Sequence, residues 1–215
     1  MGVVDTHCHL QDPAFDNDRE AVMARALDAL DWLVVIGDDL ENSRRAVAFS
    51  RERIYATAGI HPYHADHVDE NALAALRRLA ARPSVIAIGE IGLDYFNEFS
   101  PRAAQRRALE MQLDLAQSLR LPAVIHCRAA EDDMLAILRE HAASLPSIIM
   151  HCFGGDGIFA RQCLDLGCFI SFAGNVTFSK AHALRDAAAT PPDRMLLETD
   201  APYLAPQPRR GRRGE

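Results

Sequence analysis

Features that would place a chain in a membrane, outside the cell or in a cross-linked scaffold are missing from these 215 residues. No apolar run reaches the 18 residues of a transmembrane helix, so we expect no membrane span. The N-terminus enters an apolar run directly, without the basic and hydrophobic regions of a signal peptide. The five cysteines are an odd number without a CxxC pair, which is typical of reduced thiols. These absences predict a cytoplasmic protein.

An excess of positive charge is also missing, because the formal net charge is −7. We therefore expect no broad electrostatic attraction between the protein surface and nucleic acid. Bound divalent cations could still supply positive charge at one place. The basic segment at residues 209–213 could touch a polyanion, but a solvated, frayed terminus is the favoured expectation.

What the sequence does contain is a regular alternation of strand-like and helix-like segments without a low-complexity linker. Apolar runs typical of strands occupy residues 3–8, 33–36, 54–59, 85–90, 123–127, 147–152, 168–172 and 195–199. Segments with helical spacing occupy residues 19–30, 41–51, 69–81, 101–119, 131–142, 156–166 and 179–189. Alternation of this kind predicts a parallel sheet, and eight strands are the number that closes a barrel. We expect one (β/α)8 TIM-barrel domain over residues 1–215.

An eighth helix is missing from this pattern. After Asp200 the chain runs through Pro202, Pro206 and Pro208 into an arginine- and glycine-rich tail. An eighth helix would normally cover the seam between the first and last strands. We therefore expect apolar surface at this seam, in a chain shortened relative to a longer protein.

Five of the apolar runs end in residue types that bind metals. Because parallel strands bring their carboxyl ends to one mouth of a barrel, these residues are expected to meet there. Two residues apart on a strand, the imidazoles of His7 and His9 project from the same face, and the Cys8 thiol points away. The expected ligands are His7, His9, Glu90, His126, His151 and Asp200. Six ligands exceed the needs of one tetrahedral ion and suit two divalent cations bridged by Glu90.

The thiols and two further carboxylates are expected to lie behind these ligands. Cys127 and Cys152 each directly follow a candidate histidine, so alternation along the strand points them toward the helices as buried structural residues. Asp5 and Glu198 share the inward parity of the ligands one layer deeper. We expect them to contact ligand imidazoles or other buried groups.

Six motifs together resemble one known family. They are Val4-Asp5-Thr6-His7-Cys8-His9-Leu10, Gly59-Ile60-His61-Pro62, Gly89-Glu90-Ile91-Gly92-Leu93-Asp94-Tyr95, His126-Cys127-Arg128, His151-Cys152-Phe153-Gly154-Gly155 and Glu198-Thr199-Asp200-Ala201-Pro202-Tyr203-Leu204. In combination they resemble the TatD-type metal-dependent deoxyribonucleases of the amidohydrolase superfamily, from residue 3 to about residue 213. The resemblance implies a (β/α)8 barrel that hydrolyses phosphodiester bonds of DNA, often from single-stranded or 3′ ends.

Site roles carried over by the resemblance divide the ligands between two ions. It implies that His7, His9, Glu90 and Asp200 hold one cation, and that Glu90, His126 and His151 hold the other. Four imidazoles favour zinc or manganese, whereas the family implies magnesium or manganese as the working ion. No obligate protein partner is evident.

Catalysis is expected to use a metal-activated water, with Asp200 as its general base and Glu90 at the bridge. Arg128 shares the parity of His126 and is expected either to hold a phosphate oxygen or to pair with Asp94 or another carboxylate at the mouth. On the loop after the third strand, His61 and His64 are candidates to contact substrate, and His64 is favoured for that role. Four aromatic residues beside the mouth could stack on a base or simply pack: Tyr95, Phe96, Phe153 and Tyr203.

Two other functions compete with the nuclease. The same scaffold could hydrolyse a carbonyl substrate such as an amide, a lactone or an aminoacyl-tRNA ester. The sequence has a glutamate at the bridging place and a single lysine, Lys180, which disfavours the subtype bridged by a carbamylated lysine. A purely structural metal site is disfavoured, because such sites close their coordination shell instead of gathering at a barrel mouth.

Overall fold

A computed structural model describes residues 2–215 and contains one sheet of eight strands. Strands adjacent in the chain pair in parallel, in the order β1 to β8. The strands are β1 Val4–Cys8, β2 Trp32–Val35, β3 Ile54–Ala58, β4 Val85–Asp94, β5 Ala123–Arg128, β6 Ile148–Met150, β7 Phe169–Phe172 and β8 Met195–Leu197. This order and direction confirm the predicted (β/α)8 barrel.

Seven α-helices lie between the strands in the described part of the chain, as predicted. They are α1 Arg19–Ala29, α2 Leu40–Phe49, α3 Glu70–Ala80, α4 Arg102–Leu119, α5 Glu131–His141, α6 Gly157–Asp165 and α7 His182–Ala187. Aspartates begin several of them: the side chain of Asp39 accepts from Asn42 N at α2, and that of Asp69 accepts from Ala72 N at α3. Among residues 2–215, no helix combines the length and the apolar composition that a bilayer crossing requires.

Helix α4 supports the carboxyl-terminal mouth of the barrel with two buried glutamines. Gln112 accepts from Ile60 N at 2.8 Å and donates to Ile60 O at 3.0 Å, which fixes the chain just before His61. Gln105 accepts from Asp94 N at 2.8 Å and donates to Asp94 O at 3.0 Å, which fixes the end of β4. The apolar face of α4 packs into the core beside them, at Leu109, Leu113, Ala116 and Leu119.

The barrel closes between β1 and the segment that follows β8. Asp200 N donates to His7 O at 2.9 Å, and His9 N donates to Ala201 O at 2.7 Å. The buried carboxylate of Asp5 also crosses the seam, because it accepts from Thr199 N at 2.9 Å and from Thr199 Oγ1 at 2.6 Å. The two edge strands are therefore joined at the mouth where the candidate ligands lie.

The seam also exposes apolar side chains, as predicted: Val3 is 59% exposed and Leu197 is 55% exposed. A cavity of about 270 Å³ beside β1 and α1 is lined mainly by apolar residues, among them Leu10, Val22, Ala26 and Leu33, and by the polar residues Asp5, Arg25, Thr199 and Glu215.

The basic tail is exposed to solvent, as predicted, but it is not frayed. Arg213 donates to both carboxylate oxygens of Asp18 at 2.7 and 2.6 Å and lies over the ring of Phe15. Arg25 pairs with Glu215 at 2.6 Å, so the tail lies along α1 beside the seam. The acidic residues near α1 attract the tail, a tertiary interaction that local composition does not reveal.

Candidate metal centre

Two histidines of β1 and an aspartate after β8 form the first ligand cluster. His7 and His9 point to the same face, with their Nε2 atoms 3.1 Å apart. Asp200 Oδ1 lies 3.6 Å from His7 Nε2 and 3.5 Å from His9 Nε2. Glu90 Oε2 completes this first cluster at 3.4 Å from His7 Nε2 and 3.8 Å from His9 Nε2.

The other carboxylate oxygen of Glu90 faces a second cluster of three imidazoles. Glu90 Oε1 lies 2.9 Å from His151 Nε2, 3.1 Å from His126 Nδ1 and 3.3 Å from His61 Nε2. His126 belongs to β5, and His151 directly follows β6. The structure thus brings all six predicted ligands together, with Glu90 between the two groups.

A β-bulge in β4 gives Glu90 this position. Ile88 pairs with Ala123, but Ile91 pairs with Ile125, so three steps along β4 match two steps along β5. A bulge bends its strand and re-aims the extra side chain, and bulges are frequent beside active sites. The strand predicted to end at Glu90 instead continues to Asp94, because pairing with β5 resumes beyond the bulge.

Carboxylates lie behind both imidazoles supplied by β5 and β6. His126 Nε2 is 3.1 Å from Asp94 Oδ2, and His151 Nδ1 is 3.3 Å from Glu198 Oε1. Such contacts fix the tautomer and the orientation of a ligand imidazole. Glu198 matches the contact expected for it. Asp5 contacts no imidazole. It accepts from His7 N and from Thr199 N, which agrees with the expectation that it contacts other buried groups.

The charges of the site favour ionised carboxylates. Burial opposes the charge of Glu90, but the charges of His151 and His61 and hydrogen bonds from His126 and His151 hold its pKa well below the ordinary value. For Asp200, burial is likewise outweighed, here by the hydrogen bond from His9 and by the charges of nearby imidazoles, so its pKa is also lowered. Both carboxylates are therefore negative ligands in a buried site.

The donor set fits divalent cations. In a tetrahedral site with bonds of about 2.1 Å, neighbouring ligand atoms are about 3.4 Å apart, and the measured contacts of the first cluster range from 3.1 to 3.8 Å. Within the described residues His151 Nε2 is buried 2.9 Å from Glu90 Oε1, and His7 Nε2 lies 3.4 Å from Glu90 Oε2 and 3.6 Å from Asp200 Oδ1. A buried imidazole nitrogen that faces carboxylate oxygens is placed to share a cation with them. These groups are able to bind metal.

The structure contains three sets of potential ligand residues, and within each set the ligand atoms lie within 4.8 Å of one another. They are His7, His9 and Asp200; His61, Glu90 and His126; and His7, His151 and Glu198. We do not take the third set as a separate site, because Glu198 already accepts from Cys152 N and from Ser171 Oγ, both at 2.6 Å.

His61 lies beside Glu90, a position that the sequence did not predict, and its expected contact with substrate stays a prediction. It is buried, whereas His64 is exposed and its ring lies parallel to that of His67. Strand alternation could not place His61, because it lies three residues beyond the end of β3 in a turn. The sequence signal for the position of His61 is Pro62, which starts the turn that follows His61. The substrate role of His64 stays a prediction.

Arg128 does not form the ion pair with Asp94 that was one of its two expected interactions. Asp94 is instead engaged by His126, by Tyr63 Oη at 3.0 Å and by Asn97 Nδ2 at 3.2 Å. The exposed guanidinium of Arg128 lies 4.0 Å above the ring of Phe96. Its charge is therefore available at the mouth of the barrel.

Cys8 is buried, as expected, whereas Cys127 and Cys152 are only half-buried. Cys8 Sγ donates to Val34 O at 3.3 Å, and Cys152 Sγ accepts from Asn175 Nδ2 at 3.6 Å. Burial raises the pKa of Cys8, Cys127 and Cys152. A protonated thiol is a poor metal ligand, and no cysteine belongs to a ligand set among residues 2–215. The expected structural role of Cys8 is consistent with this environment.

Comparison with known proteins agrees with this geometry. Residues 4–215 match the family model described as TatD related DNase. A metal-dependent hydrolase named YabD from Bacillus subtilis is 40% identical, across 98% of this chain and 84% of its own length. A protein named 3′-5′ ssDNA/RNA exonuclease TatD from Cronobacter turicensis is 41% identical, across 94% of this chain and 79% of its own length. The crystal structure of the TatD homologue YJJV from Escherichia coli superposes with a TM-score of 0.89 at 32% identity, across 98% and 83%. This chain belongs to the TatD-related DNase family of metal-dependent hydrolases.

Proposed function

We propose that this chain is a deoxyribonuclease that hydrolyses phosphodiester bonds at the 3′ end of single-stranded DNA with two divalent ions. One observation carries the proposal: the two carboxylate oxygens of Glu90 face separate ligand clusters, Oε2 toward His7 and Oε1 toward His151. A bridging carboxylate between two such clusters is the arrangement that two-metal phosphoesterases use. The name of the Cronobacter relative supports the choice of substrate and end.

Two cations would be held by separate sets of side chains around the shared Glu90. The first set is His7, His9 and Asp200, and the second is His126 and His151. Cations held there would supply the positive charge that a phosphodiester anion requires and the Lewis acidity that makes water a nucleophile near neutral pH. Local charge of this kind compensates for a chain whose net charge is −7.

The remaining steps fall to side chains at the mouth of the barrel. Asp200 is ionised and lies beside both imidazoles of the first cluster, so it accepts the proton of the attacking water. Arg128 holds a non-bridging phosphate oxygen, because its guanidinium is exposed on the strand that carries His126. His64 lies on the exposed part of the loop after β3. There it contacts the DNA strand beyond the reacting phosphate.

The test uses purified protein freed of metal by a chelator and then supplied with Mg²⁺, Mn²⁺ or Zn²⁺. Single-stranded DNA is labelled at either end, and RNA and an aminoacyl ester are assayed beside it. We expect a ladder from 5′-labelled DNA and immediate release of a mononucleotide from 3′-labelled DNA, only with metal. Glu90→Gln should abolish both, and the exposed Glu140→Gln should not. Ester hydrolysis with intact DNA would instead support the carbonyl substrate.

A further inference from the structure

We infer that Phe96 and Phe99, in the loop between β4 and α4, form a stacking platform for an unpaired base of the substrate strand. This inference rests on the proposed function and adds the residues that select single strands. A base within a duplex is covered on both faces by its neighbours, so only an unpaired base can lie on an aromatic ring.

The exposure of these two rings is the first argument. Phe96 is 66% exposed and Phe99 is 70% exposed, three residues apart. Single exposed apolar residues are ordinary, but two exposed aromatic rings in one short loop beside an active site are suited to binding a ligand. Of the other three aromatic residues at the mouth, Phe153 is buried, Tyr95 packs on the core and donates to Asp133, and Tyr203 is 51% exposed with its hydroxyl donating to Asp12.

The loop that carries the two rings is held in place. Asp94 Oδ1 accepts from Phe96 N at 3.0 Å and from Asn97 N at 2.8 Å. Ser100 at the other end of the loop donates to Asp66 at 2.9 Å, and its carbonyl accepts from Gln105 at 2.8 Å. Because the backbone is anchored at both ends, the rings are exposed on a fixed support, and little conformational entropy is lost when a base binds.

The platform lies next to the second ligand cluster. The ring of Phe99 meets that of Tyr63 edge to face, with centroids 4.7 Å apart. Tyr63 in turn contacts the ring of His61 at 4.2 Å, and its hydroxyl donates to the Asp94 that supports His126. A base on Phe99 would therefore belong to a nucleotide close to the reacting phosphate.

Arg128 connects the platform with phosphate binding. Its guanidinium covers one face of Phe96 at 4.0 Å, which leaves the other face of that ring for a base. Within residues 2–215 no carboxylate lies within ion-pair distance of Arg128, so its charge stays free for a phosphate. A cation combined with exposed aromatic rings is the arrangement with which proteins bind single-stranded nucleic acid without reading its sequence.

The experiment measures KM and kcat on metal-loaded enzyme with single-stranded DNA. Phe96→Ala and Phe99→Ala should each raise KM about five- to 100-fold, the usual effect of one lost stacking ring, with kcat within about twofold. Phe99→Tyr should keep the wild-type KM, and Phe99→Leu, which keeps apolar area without an aromatic face, should not. Val3→Ala, an exposed residue at the opposite end of β1, is the control and should change neither constant.

An oligonucleotide with abasic sites at its 3′ end separates stacking from other contacts. Wild-type KM should rise on it, and the alanine variants should then differ little from wild type. Unchanged KM for both alanine variants, or an equal rise on natural and abasic strands, overturns the platform. A wild-type enzyme that leaves every nucleic acid intact would instead refute the proposed function, and with it this inference.

Discussion

The rings of His7 and His151 are stacked, with centroids 3.8 Å apart and planes inclined by 12°. Each ring belongs to a different ligand cluster, and both are buried. The two clusters are therefore in direct van der Waals contact as well as sharing Glu90. A substitution that moves a side chain of one cluster is therefore expected to affect the other cluster as well.

Glu90→Gln should impair both metal positions at once, because a neutral amide cannot attract two cations. We expect metal affinity to fall by at least about 100-fold. This is more than the loss that follows when a residue that only orients a ligand is removed. Wild-type protein should gain about 2.7 kcal/mol of unfolding free energy at an ion concentration 100 times its Kd, and the variant should gain almost none. Thermal unfolding with and without ion measures this. An equal gain in Glu90→Gln would contradict the bridging position.

Glu198→Gln should weaken metal binding without contacting the ion. Glu198 accepts from His151 Nδ1 at 3.3 Å, and the amide would no longer fix that imidazole. Loss of such a partner typically costs 10- to about 100-fold in metal affinity. Competition with a chelator of known affinity gives the value. Ser171→Ala is the matched control, since it removes the hydrogen bond to Glu198 Oε2 and the contact with Thr6 Oγ1 but leaves Glu198 beside His151. It should cost about 2 kcal/mol of stability with nearly unchanged metal affinity.

Gly92→Ala should destabilise the barrel beside His126. A Cβ at residue 92 would lie 1.9 Å from His126 O, and its φ of +151° is unfavourable for other residues. Chemical denaturation should show a loss of more than about 3 kcal/mol, the range in which named packing faults fall. Gly167→Ala separates the two causes, because its φ is +83° with no atom within 4 Å. That variant should lose only about 1–2 kcal/mol, and equal losses would exclude the collision.

Docking of the tail on α1 should depend on the ionisation of Asp18. Hydrogen bonds from Arg213 lower the pKa of Asp18. A lowered pKa means that the interaction is complete above the unfolded value of about 4 and is lost as the pH falls through the folded value. The Arg213 Nε–H NMR signal, followed as the pH is reduced, should change only in that acidic range. In Asp18→Asn the signal should resemble that of an undocked tail already at pH 7; a docked signal there would show that Phe15 alone suffices.

Sequence pattern predicted what depends on local periodicity. The strands and helices follow from runs of alternating and helical spacing, and the ligands of β1, β5 and β6 lie at or beside strand ends, where parity determines the face. The position of Glu90 in the bulge of β4 was not predictable, since the bulge arises from pairing with β5. His61 lies in a turn, where strand parity has no meaning, and the partners of Arg128 and of the tail are set by tertiary contacts alone. In each such case the deciding neighbour is far away along the chain.

Closure of the barrel has a consequence for how the centre comes into being. The bonds from Asp200 N to His7 O and from His9 N to Ala201 O join the first strand to the last through the ligand residues themselves. His7 belongs to the first strand and Asp200 follows the eighth, so the first cluster is assembled only when these two distant parts of the chain have joined. We therefore expect binding of an ion by the first cluster to depend on closure of the barrel.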